Sequence, residues 1–143
     1  MPFPAMNEIS LIRTLDRLRK FASEIISAPV PIVILASAAK SGHAPDSYHY
    51  RGLAADIYFK ISPSVFSFRE QFLAIKSFSN INGIGFYPEW NPSPGFHIDL
   101  RDPIKSALWI RKNNKYIYEP KVFYQAISDR SLVNSVNSAN SFS

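Results

Sequence analysis

Three side chains suited to holding a metal ion sit in two short apolar segments. His49 and Asp56 are seven residues apart in Ser47-Tyr48-His49-Tyr50-Arg51-Gly52-Leu53-Ala54-Ala55-Asp56-Ile57-Tyr58. The half before Gly52 is polar and loop-like, and the half after it reads as a buried strand carrying one carboxylate. A carboxylate in an apolar strand is costly unless its charge is offset. A metal ion offsets it directly, with His49 as a second ligand at the mouth of the same strand. The segment Gly95-Phe96-His97-Ile98-Asp99-Leu100 is a second apolar strand, in which alternation puts His97 and Asp99 on one face. Two histidines and one aspartate around an open position form a catalytic type of zinc site. The competing reading is that the histidines and Asp56 are satisfied by hydrogen bonds in an ordinary core.

The surrounding chain supplies elements to carry these groups. Residues 7 to 26 are expected to form an amphipathic helix, with Asn7 as N-cap and Leu11, Ile12, Leu15, Leu18, Ala22, Ile25 and Ile26 at helical spacing. Arg13, Asp16, Arg17, Arg19 and Lys20 form its solvated face, and Pro29 and Pro31 end it. Ile32 to Ser37 reads as a central strand buried on both faces. The loop Ala38 to Asp46 holds His43, whose ordinary reading is a solvated side chain. Ser62-Pro63 is the expected start of a second helix. Val65, Phe68, Phe72 and Ile75 should pack onto the sheet, and Phe66, Leu73 and Phe78 widen the stripe. Asn80 and Gly83 close that segment. Gly83 to Tyr87 is a short strand whose glycines mark a bend or the close approach of another backbone. The proline-rich loop Pro88 to Pro94 feeds the His97 strand, so Tyr87 and Trp90 either wall a cleft or cap the core edge. Trp109 to Arg111 and Lys115 to Tyr118 flank Asn113-Asn114 as a hairpin. Pro120 opens a short helix through Ile127, and Asp129 to Ser143 is expected to be a flexible Ser/Asn-rich tail after one domain over residues 1 to 128.

Composition narrows the function classes. At 143 residues and 46% apolar content, the chain suits one globular domain. It has no cysteine, which removes thiolate metal sites, disulfides and cysteine nucleophiles. The net charge of +5 favours an anionic partner surface. No long basic block is present, so nucleic acid is not the expected partner. No apolar run approaches the roughly 18 residues of a spanning helix. Met1 to Met6 does not read as a secretory signal. The expectation is a protein made in the cytoplasm, acting as a monomer, without membrane insertion.

The pattern Ser47-x-His49-x-x-Gly52-x-Ala54-x-Asp56 resembles the signature of the M15 zinc peptidases. That family includes D-alanyl-D-alanine carboxypeptidases, murein endopeptidases and phage L-alanyl-D-glutamate endolysins. Gly83-x-Gly85-x-Tyr87 followed by Phe96-His97-Ile98-Asp99-Leu100-Arg101 is similar to the family's second motif, in the same order along the chain. The resemblance covers roughly residues 7 to 112. It implies an α+β fold of the hedgehog/D-Ala-D-Ala-peptidase type, a mainly antiparallel sheet with helices on one side. It also implies a Zn2+ ion held by His49, Asp56 and His97. The general base is Asp99 or Glu89, with Asp99 slightly favoured; Asp99 is alternatively a carboxylate that orients a ligand histidine. Pro94 stands where several relatives carry an acid. Lys40 replaces the arginine that relatives use for a peptide carboxylate, and Lys40, Arg51 and Arg101 are the candidate cations. Tyr87 and Trp90 complete the candidate substrate contacts. The implied activity is cleavage of a peptide bond in the peptidoglycan stem, by a lysin that reaches the wall on release or with a phage particle. The alternative is an inactive zinc-containing module that binds cell-wall peptide.

Overall fold

The computed structural model describes residues 6–36 and 52–133, in an α+β fold. Helix α1 (Met6–Ile26) precedes strands β1 (Ile32–Ala36) and β2 (Ala54–Phe59). Helix α2 (Phe68–Lys76) leads to β3 (Gly83–Tyr87) and β4 (Gly95–Asp99). A 3-10 turn, Pro103–Lys105, precedes β5 (Ala107–Lys112), β6 (Lys115–Ile117) and helix α3 (Pro120–Ile127). The six strands form one sheet in the order β1-β2-β4-β3-β5-β6. Every pairing is antiparallel except β3 with β5, which is parallel.

The two faces of this sheet have separate tasks, because side chains alternate along each strand. Ile57, Phe59, Ile84, Phe86, Phe96 and Ile98 form one face and join Leu11, Leu15, Leu18, Phe72, Ile75 and Phe123 of the helices in a single core. Edge-to-face rings tie that core across elements, with Phe72 and Phe123 at 4.9 Å. The opposite face carries Asp56, His97 and Trp109 in one row with Gly85, since Asp56 pairs His97, His97 pairs Gly85 and Gly85 pairs Trp109.

Several boundaries differ from the sequence reading. Among the described residues β1 is an edge strand that pairs only β2, and Ile34 and Leu35 are exposed, where the sequence reading expected a central strand. Its uninterrupted apolar run mimics a doubly buried strand. Helix α1 begins at Met6, which places Asn7 inside its first turn, and Ile12 and Ile25 face outward. Helix α2 starts at Phe68 rather than near Pro63. Ser67 and Glu70 form a reciprocal capping box there, satisfying two of the backbone donors that a helix start at Phe68 exposes. Val65 and Leu73 are consequently exposed. The hairpin turn is as expected, with Asn113 and Asn114 both left-handed at φ 52° and 61°. Residues 130–133 are helical and Leu132 packs on the core, so the tail expected from Asp129 is not found over these residues; 134–143 lie outside the described residues.

Candidate metal centre

Strand pairing brings Asp56 on β2 opposite His97 on β4. His97 Nδ1 lies 3.0 Å from Asp56 Oδ1. Two donors each about 2.0–2.1 Å from a tetrahedral zinc ion stand ~3.3 Å apart, so this spacing fits two ligands of one ion. The other ring nitrogen, Nε2, is 2.8 Å from Asp99 Oδ2. Asp99 has no exposed surface. Arg101 forks onto it, donating from Nε to Oδ1 at 2.8 Å and from Nη2 to Oδ2 at 2.7 Å. The Arg101 backbone N–H adds a third bond to Oδ1 at 3.2 Å.

These contacts set the charge states. Burial pushes the Asp99 carboxyl up, but the hydrogen bonds from Arg101 and then His97 outweigh it and hold the group at about 2. Burial likewise disfavours a charged His97, yet the bonds to Asp56 and Asp99 raise it above the ordinary histidine value. Both contacts, Nδ1 with Asp56 and Nε2 with Asp99, thus favour the charged form of the ring. A cation replacing the Nδ1 proton would meet the same two donor atoms, with Nε2–H still held by Asp99. That is the usual way a ligand histidine is oriented.

Among the described residues, no group of three or more His, Cys, Asp or Glu side chains is arranged to hold a metal. Asp56 and His97 make two donors, and Asp99 sits on the far nitrogen of His97. The expected third ligand, His49, lies outside the described residues, as do Lys40, His43, Ser47 and Arg51.

The two candidate bases are both engaged. Asp99 is clamped as above. Glu89 is exposed in the β3–β4 loop, and its Oε1 accepts from the backbone N–H of Asn113 at 2.7 Å. Removing one partner from a buried ion pair costs about 3–5 kcal/mol. Releasing one hydrogen bond to a charged group costs about 1.5–3 kcal/mol. The geometry thus favours the orienting role for Asp99 over the base role, and makes Glu89 the more readily released acid. Arg101, a candidate substrate cation, directs its fork to Asp99.

The aromatic residues lie on the site face. Tyr87 stacks on Trp90 at 4.2 Å with 19° between the rings. The Tyr87 hydroxyl accepts from Trp109 Nε1 at 3.2 Å. Burial pushes the Tyr87 phenol well up, which keeps it neutral. Trp109 in turn lies against His97 at 5.1 Å and beneath the Arg101 guanidinium at 5.2 Å. Trp109 was read from sequence only as a hairpin residue. The signal for it was the glycine pair in β3: a Cβ on Gly83 would overlap the Asp99 carboxylate, and one on Gly85 would overlap the Trp109 indole. Side chains from both flanking strands lean over β3, where the sequence suggested a bend or another backbone.

No helix among the described residues is long and apolar enough to cross a membrane. Comparison of the chain with family models, with curated proteins and with solved structures finds no match.

Proposed function

We propose that the chain is a zinc-dependent peptidase that hydrolyses a peptide bond in the peptidoglycan stem. The observation that carries this reading is the orientation of His97, with Nδ1 turned to Asp56 and Nε2 tied to a buried Asp99–Arg101 pair. A histidine that merely needed satisfaction in a core would not require two carboxylates and a guanidinium. The resemblance of residues 47 to 56 and 83 to 101 to the zinc peptidase motifs supplies the substrate class. Asp56 and His97 would hold the ion together with His49. When bound, zinc supplies Lewis acidity, lowering the pKa of water to about 7 and polarising the carbonyl under attack. Asp99 and Arg101 keep the ring fixed and its outer nitrogen protonated. Glu89, in the loop that leads into β4 and held by a single hydrogen bond from Asn113, would be the acid that accepts a proton from the attacking water. Trp109, Tyr87 and Trp90 exclude water from one side.

A second reading, a zinc-containing module that binds wall peptide without cutting it, is favoured by one observation. Both candidate bases are occupied, Asp99 by Arg101 and Glu89 by Asn113. Mass spectrometry of defined muropeptides incubated with the protein, with and without chelator, separates the two. Chelator-sensitive fragments support the peptidase. Retention of murein without any released fragment supports the module. Neither cleavage nor retention refutes both.

A further inference from the structure

We infer that Trp109 is a positioning residue that fixes the His97 imidazole towards Asp56, and that Gly85 exists in β3 to admit its ring; this rests on the zinc reading above. Trp109 is 6% exposed, yet it lies on the face of the sheet away from the helices. Its neighbour Ile110 faces the core instead. An indole buried on that side is covered by the site and not by the core.

The geometry explains how β5 reaches β4 across an intervening strand. Paired strands stand about 4.8 Å apart, so residues on β5 and β4 are separated by nearly twice that. Gly85 lies between Trp109 and His97 in register and has no side chain. The indole fills that space and meets the imidazole at 5.1 Å, tilted by 50°. Tyr87 holds the indole from one end through Nε1, and Arg101 covers its face. With Asp99 bonding one edge of the imidazole and Trp109 against it from β5, the ring has little freedom to swing Nδ1 away from Asp56. The same indole shields the Arg101–Asp99 pair, whose strength depends on staying dry.

The test uses the full chain and zinc affinity, read by competition with a chromophoric chelator. Trp109→Ala and Gly85→Ala are each expected to weaken zinc about tenfold to a hundredfold, as loss of a ligand-orienting partner does. Trp109→Phe, which keeps a flat ring over Gly85, should restore most of that loss. Phe123→Ala, on the helix side of the sheet, should destabilise the fold and leave zinc affinity unchanged. In a Trp90→Phe background Trp109 is the sole indole, and stoichiometric Co2+ should quench its emission in a way that zinc reverses. This holds even if Trp109→Ala fails to fold. If wild type binds zinc and Asp56→Ala does not, while Gly85→Ala binds as wild type and Co2+ leaves the indole unquenched, the inference falls and the zinc reading stands. If wild type binds no zinc, the zinc reading falls and takes the inference with it.

Discussion

Replacing Arg101 with alanine tests the central electrostatic claim. Asp99 is fully buried, and three of the four hydrogen bonds to its carboxylate come from Arg101. One of those three is from the backbone and survives the substitution. Losing the guanidinium leaves a buried carboxylate with one imidazole and one amide, a loss expected to cost about 3–5 kcal/mol. A domain of this size has a total stability of about 5–15 kcal/mol, so the effect is large. Urea unfolding should show a lower midpoint at unchanged slope. A paired variant, Asp99→Leu with Arg101→Met, removes both charges. It should recover most of the stability, since among the described residues the Nε2 donor of His97 is what the loss of Asp99 leaves without its carboxylate, at about 1–3 kcal/mol. The same double variant should still bind zinc about tenfold to a hundredfold more weakly than wild type, because Nε2 of His97 has then lost the carboxylate that orients it. Stability and metal affinity would thus separate. A cost below about 1 kcal/mol for Arg101→Ala, the value of an exposed pair, would refute the claim that Arg101 neutralises a buried Asp99.

Glu89→Gln keeps an acceptor for Asn113 and removes the proton acceptor, so turnover on muropeptides should fall by about 10²–10⁴ with zinc affinity unchanged. Unchanged turnover would remove Glu89 from the mechanism. Zinc at about 100 times its dissociation constant should stabilise the protein by about 2.7 kcal/mol. Differential scanning fluorimetry should show that shift in wild type, its reversal by chelator, and its absence in Asp56→Ala. Ser67→Ala breaks the capping box of α2 and should cost about 1 kcal/mol in urea unfolding. Phe72→Ala removes a fully buried ring from the helix–sheet core and should cost about 3–5 kcal/mol by the same measurement.

Much of this architecture was legible from local pattern. The period of α1, the alternation around His97, the Asn113-Asn114 turn and Pro120 as the start of α3 each depend on near neighbours, and each is found. The pairing of Asp56 with His97 was also within reach, because each is a polar group set between apolar neighbours in its strand. What failed depended on context. The edge position of β1 is set by the sheet order, which its own residues do not encode. The start of α2 turned on a contest between Pro63 and the Ser67–Glu70 box, which reciprocal hydrogen bonding decides. Trp109 was missed because its place depends on the parallel pairing of β3 with β5, the one non-antiparallel contact in the sheet.

The division of the sheet explains why the site and the core can be built from the same short strands. In β4, Phe96 and Ile98 enter the core while His97 and Asp99 face the site. In β2, Ile57 and Phe59 enter the core while Asp56 faces the site. A slip of one residue in either strand would bury charge among phenylalanines and expose the rings, so the core enforces the register that aligns Asp56 with His97. On β3 the site face is bare at Gly83 and Gly85, and the core face is filled by Ile84 and Phe86. The strand that contributes no chemistry of its own thus lets its neighbours meet: Asp99 leans in from one side and Trp109 from the other. Alanine at Gly85 leaves the core face untouched and meets the Trp109 indole, so that position separates a role in the site from a role in the core, whereas alanine at Gly83 meets the buried Asp99 carboxylate and would cost stability as well.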